Sequence, residues 1–158
     1  MKNTFKRSGA ALISLVLLLV RAVSAGAASS QNVGVKFWKE RSDKESMANS
    51  GIDSNRTATL TRQANGTYTL TLPVMQVSKL GVTGYLSGLT IGDVTYDGTL
   101  TGDFNKATAV LTIKNLPASV LTGSDVNKSV LVTCNIQMDL QVLGEINTSA
   151  RMCIWNQK

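Results

Sequence analysis

The segment Val130-Leu131-Val132-Thr133-Cys134-Asn135-Ile136-Gln137-Met138-Asp139-Leu140-Gln141-Val142 decides the fold. Val130, Val132, Cys134, Ile136, Met138, Leu140 and Val142 recur at every second position, with Thr133, Asn135, Gln137, Asp139 and Gln141 between them. Side chains alternate across a β-strand, so this spacing gathers the apolar groups on one face and leaves the other to water. A helix, turning about 100° per residue, would spread the same groups around its whole circumference. One strand cannot bury its own apolar face, so other strands must pair with it and a second layer must cover it. The alternation predicts Val132, Ile136, Met138 and Leu140 inside, with Asn135 and Gln137 outside.

Working outward, Ala150, Met152 and Ile154 alternate as the inward row of a last strand, and Val33-Gly34-Val35-Lys36-Phe37 reads as a first one. From Lys39 to Glu45 charges of both signs nearly cancel, the pattern of a solvated loop. Ser46 can then cap a short helical turn over Met47-Ala48-Asn49, which Gly51 and Asp53 limit. Arg56 to Pro73 reads as a hairpin whose register can be fixed by parity. A two-residue turn at Asn65-Gly66 would set Leu60 against Thr71. A three-residue loop of Ala64, Asn65 and Gly66, with Gly66 left-handed, pairs Leu60 with Leu70 and Ala58 with Leu72 instead. Beyond Pro73, glycines break the pattern; Leu86 to Val94 and Thr95 to Leu100 read as strands, and Thr108 to Lys114 alternates through Ala109, Leu111 and Ile113. Seven to eight short strands with no long helix predict an all-β protein, an immunoglobulin-like antiparallel β-sandwich.

The N-terminal residues are set apart. Lys2, Lys6 and Arg7 precede an apolar run from Ala10 to Val20, and Ala25-Gly26-Ala27 supplies a cleavage signal, so residues 1–27 read as a secretory signal peptide and 28–158 as one domain. The apolar run is shorter than the ~20 residues that cross a bilayer, and no membrane insertion of the mature chain is expected. Removing Lys2, Lys6, Arg7 and Arg21, with no acid among them, takes the formal charge from +6 to +2. The remaining cations are scattered, which gives no footprint for nucleic acid.

The chain has no histidine, so Ser/His/Asp and Cys/His nucleophile arrangements and His-bearing metal sites are excluded. Asp93, Asp97 and Asp103 lie close in sequence, but among glycines they are far more often turn formers than paired acids. No enzyme is expected. Cys134 and Cys153 are the only cysteines. Export favours a disulfide between them, whereas the alternation puts Cys134 with the inward row and Cys153 on the outer side; both outcomes stay open. Asn-x-Ser/Thr triplets begin at Asn55, Asn65, Asn127 and Asn147, and matter only on a eukaryotic secretory route.

Glu45-Ser46-Met47-Ala48, then Thr57-Ala58-Thr59-Leu60, then Asn65 to Leu72, resemble the first half of a NEAT (near-iron-transporter) domain, the module of Gram-positive surfaces. Ser149-Ala150-Arg151-Met152-Cys153-Ile154-Trp155 is similar to the end of NEAT-like domains in secreted Firmicutes proteins, so the resemblance spans about Val33 to Trp155. It implies an immunoglobulin-like sandwich and the binding of haem or of a haemoprotein in iron acquisition, by a secreted or cell-wall-associated protein. Haem-binding members hold iron through the first Tyr of a Tyr-x-x-x-Tyr motif in the last strand, beneath a lip made by the short helix after the first strand. The last strand here has no tyrosine. The resemblance therefore points to Met152 as the metal ligand, with Met47 and Ser46 at the lip and Met138 and Ile154 as further walls. A methionine on an alternating apolar face is more often core filling, and Tyr85 reads as a packing residue with its hydroxyl at the rim. The competing reading is a cofactor-free extracellular sandwich that binds a surface protein or a glycan.

Overall fold

The computed structural model describes residues 28–79, 81–139 and 144–158. Residues 1–27, expected as a signal peptide, and Leu140 and Val142 of the expected strand lie outside the described residues. The described residues form nine strands: β1 (Ser29–Lys39), β2 (Ala58–Arg62), β3 (Tyr68–Pro73), β4 (Val77–Lys79), β5 (Val82–Ile91), β6 (Val94–Thr101), β7 (Val110–Leu116), β8 (Val130–Met138) and β9 (Glu145–Asn156). Short 3-10 turns fill three connections, at Met47–Gly51, Ala118–Val120 and Val126–Lys128. Every pairing is antiparallel, in the order β4-β5-β6-β7-β3-β2-β1-β9-β8, and a further β5–β8 pairing closes eight of the strands on themselves. The result is an immunoglobulin-like antiparallel sandwich with both edges joined and β4 added at the side. Among the described residues no helix is long and apolar enough to cross a membrane.

The hairpin of β2 and β3 has the register that parity demanded. Leu60 pairs with Leu70, Gln63 N–H donates to the Thr67 carbonyl at 2.8 Å, and Gly66 has φ +84° at the end of a three-residue loop. Asn65 Oδ1 accepts from the Thr67 amide, a local side-chain bond that sets the turn. The expected strand from Leu86 to Val94 is corrected. Gly92 and Asp93 form a two-residue turn between Ile91 and Val94, with Gly92 at φ +59° in the first central position, where hairpins of the primed types use glycine.

The core is built from the inward rows: Val33 and Phe37 of β1, Leu60 and Leu70 of the hairpin, Leu111 and Ile113 of β7, Val132 and Cys134 of β8, and Ala150, Met152 and Ile154 of β9. Two expectations about β8 need correction. Asn135 is only 3% exposed, although it belongs to the outward row. A register shift in β5 between Leu86 and Gly88 brings polar partners to it: Ser87 Oγ donates to its carbonyl at 3.0 Å and Thr90 Oγ1 to its side-chain oxygen at 3.3 Å. Burial of an amide is tolerable when such bonds replace water. Ile136 and Met138, expected inside, are half-buried, because they stand at an opening in the sandwich.

The two cysteines do not meet. Cys134 stands opposite Thr148 in β9 and Cys153 opposite Lys36 in β1, five positions further along β9 and on the other face. Both are free thiols, and Cys153, although on the outer row, is buried, its Sγ 3.6 Å from the Asp125 carbonyl.

Candidate functional site

The opening beside Ile136 and Met138 leads into a cleft of about 340 Å³. One wall is the lip formed by Met47, Ala48 and Gly51, from the turn that follows β1. A second wall is the β8–β9 hairpin, through Ile136 and Met138 on β8 and Ile146 and Thr148 on β9. Val77 of β4 and Val82, Gly84, Tyr85 and Leu86 of β5 make the floor between them. Among the described residues no charged side chain lines the cleft, and the side-chain heteroatoms there are two thioether sulfurs and two hydroxyls.

Each wall is fixed by its own bonds. Ser46 Oγ accepts from the Ala48 amide at 3.3 Å and starts the turn. Asn49 then ties the turn to β1: its Oδ1 accepts from the Phe37 amide at 2.8 Å, and its Nδ2 donates to the Phe37 carbonyl at 2.7 Å and the Ser46 carbonyl at 3.1 Å. A single side chain thus completes both backbone groups of one strand residue. On the second wall the Met138 amide donates to the Gly144 carbonyl at 3.1 Å, and the Asp139 amide to the Thr83 carbonyl at 2.8 Å, so the hairpin is bonded to the floor strand. Gln76 Nε2 and Asp139 Oδ2, 3.2 Å apart, add a polar clasp at the rim.

The floor depends on Gly84. It pairs with Met138, and a Cβ there would lie 2.8 Å from Met138 Sδ and 3.0 Å from the Gln137 carbonyl oxygen. The absence of a side chain lets the thioether rest against the strand backbone. Tyr85 packs its ring on Phe104, with centroids 5.3 Å apart and planes tilted by 45°, a favourable aromatic arrangement.

Of the residues that the resemblance nominated, Met47 and Met138 line the cleft, one from the lip turn and one from β8. Ser46 does not; it is buried and serves as the cap of the lip turn. Met152, the expected ligand, and Ile154 are not among the residues that line the cleft. Met152 pairs with Phe37 on one side and Val130 on the other and is fully enclosed in the core, as is Ile154, whose amide and carbonyl bond with Thr122 and Gly123. Tyr85 lines the cleft as well as packing. Gly84 and Ile146, and the parts that Ile136 and Asn49 play at the cleft, were not read from the sequence, although a lone glycine inside an alternating segment is a signal of close approach. Among the described residues no group of three His, Cys, Asp or Glu is placed to hold a metal ion.

No family model matches the sequence, and no curated protein does either. Solved structures are similar in fold. A mutant of IsdX2-NEAT5 in complex with heme superposes with a TM-score of 0.53 at 12% identity, covering 83% of this chain and 98% of that one. The NEAT5 domain of IsdX2, a B. anthracis hemophore, in complex with heme, gives 0.49 at 11% identity over the same shares. The first of these likenesses shows that the fold is NEAT-like.

Proposed function

We propose that this chain is an exported NEAT-like binding module whose cleft accepts haem. The observation that carries the reading is the place and character of the cleft. An uncharged slot lies between the lip turn after the first strand and the last hairpin, in a fold similar to that of a domain solved with heme. Its volume falls within the range of small-molecule sites, ~300–1,000 Å³, where apolar walls exclude water and a few polar atoms fix orientation. Haem, when bound, supplies an iron whose axial positions can take protein donors. Leu86, Ile136 and Ile146 provide apolar contact for the macrocycle, while Ala48 and Gly51 keep the lip thin enough for a flat group to enter. Export is supported by the basic start, the apolar run and the Ala25-Gly26-Ala27 signal, and the domain is taken as residues 28–158.

The described lining residues carry no carboxylate, cation or imidazole to move a proton, and the reading taken is binding. Titration of the purified protein with hemin tests the proposal through the Soret band. Saturable binding at one site is expected. Ile146→Arg, at a wall position 42% exposed where a charge does not burden the core, should weaken it at least about tenfold. No Soret shift in either redox state would abandon haem for the cofactor-free protein or glycan reading.

A further inference from the structure

We infer that Lys36, Trp38 and Glu45 form a salt-sensitive latch on the outer face of β1, which holds the lip of the cleft in place and releases it as ionic strength rises. The inference rests on the haem reading above and adds a means of regulating that site. After β1 the chain turns over residues 40–43 and runs back beside the strand. The Lys39 amide donates to the Lys44 carbonyl at 2.8 Å, Glu45 bridges to Trp38, and the Ser46 amide donates to the Phe37 carbonyl at 3.0 Å. Ser46 ends this returning arm and caps the lip turn, so arm and lip move together. Lys36 and Trp38 share the outward row of β1. The Lys36 ammonium lies 4.5 Å from the centre of the Trp38 ring and also pairs with the Glu45 carboxylate. One cation thus ties the arm to the strand.

Two features set this latch near balance. Trp38 Nε1 is buried and has no acceptor. An indole N–H without a partner carries a desolvation cost that water would remove, so it favours lifting the arm away from the ring. Against it stands an ion pair whose Glu45 side chain is 62% exposed, where attraction is modest and salt screens it. The tip of the turn is held differently. Arg151 donates to the Lys39 carbonyl at 3.1 Å, the Ser42 carbonyl at 2.9 Å and Asp43 Oδ1 at 2.7 Å. Two of these acceptors are neutral and little affected by salt, so the tip stays in place as the hinge. With the latch open, the hold of the lip on β1 passes to the Asn49 bonds with Phe37.

The test follows the two indole N–H groups of the chain, Trp38 and Trp155, by NMR of isotope-labelled haem-free protein. Ionic strength is stepped from about 0.01 M to about 1 M, which shortens the screening length from ~30 Å to ~3 Å. In wild type the Trp38 N–H should exchange with solvent at least about tenfold faster at high salt, while the Trp155 signal responds far less. Lys36→Met keeps most of the apolar stem without the charge, and Glu45→Gln removes the carboxylate charge; both variants should exchange fast at either ionic strength. Release of hemin to an excess of apomyoglobin should accelerate with salt in wild type, and be fast and indifferent to salt in both variants. Trp38 exchange that ignores salt and both substitutions would overturn the latch and leave the haem reading intact. So would hemin release that stays constant while that exchange rises. Failure of hemin to bind in either redox state would remove the haem reading and, with it, the regulation of its site.

Discussion

Gly84 and Met138 show how much of the cleft is decided by single residues. The β5 backbone at Gly84 is close to Met138 Sδ and to the Gln137 carbonyl, and only the former is the end of a flexible chain. In Gly84→Ala the sulfur can swing away, but the carbonyl belongs to the paired strand and cannot. The substitution should cost about 1–3 kcal/mol, the range for inserting a methyl into a packed site, and should push Met138 into the slot. Urea denaturation measures the first effect and hemin titration the second. Unchanged stability with unchanged hemin binding would mean that β5 and β8 yield more readily than their bonding suggests. The neighbouring Met152 is a useful contrast, since both methionines stand on alternating apolar rows. What separates them is what lies across the strand: a phenylalanine and a valine enclose Met152, while a glycine leaves Met138 open.

At the level of elements, the lip is a five-residue turn with few bonds of its own, and Asn49 supplies most of its attachment to β1. Asn49→Ala leaves the Phe37 amide without its partner, while the Phe37 carbonyl keeps its bond from the Ser46 amide, so the cost is ~1–3 kcal/mol for one unsatisfied buried group. It should lower the urea midpoint and weaken hemin binding, whereas Asn49→Asp, which keeps the acceptor, should retain part of both. Equal behaviour of the two variants would show that the Phe37 amide finds its partner elsewhere. The β2–β3 hairpin was legible from sequence because turn geometry and side-chain parity act within a few residues, and Leu60 against Leu70 follows from them alone. The lip was legible through its serine cap, and Met47 and Met138 through the resemblance. The closure of β5 onto β8 was not, since nothing local in Val82–Ile91 names a partner some fifty residues away. For the same reason alternation gave the face of Ile136 and Met138 but not their depth. A period of two distinguishes inside from outside, and it cannot mark where the inside opens into a cleft.

For the whole molecule, the buried thiol of Cys134 makes stability depend on pH at the alkaline end. Burial raises its pKa from 9.0 to about 12, because the thiolate would lose its hydration. Above the unfolded value the folded state keeps a proton that the unfolded chain releases, so this contribution is complete below about pH 9 and is lost as pH rises towards 12. The measurement is a difference between two chains that share every other group: the urea midpoint of wild type should fall more steeply between about pH 9 and 11 than that of Cys134→Ala. Parallel slopes would show that the thiol gains no more protection than an exposed one. The closed sheet also fixes where the chain enters and leaves. Val33 pairs with Asn156, and the Gln157 amide donates to the Asn32 carbonyl, so the first and last described strands run out side by side. The cleft lies at the opposite end of β9, at Ile146 and Thr148, about 30 Å of extended strand away. A protein tethered through either terminus, or strung between neighbours like a bead, would therefore turn its open mouth away from the attachment and keep it clear for cargo.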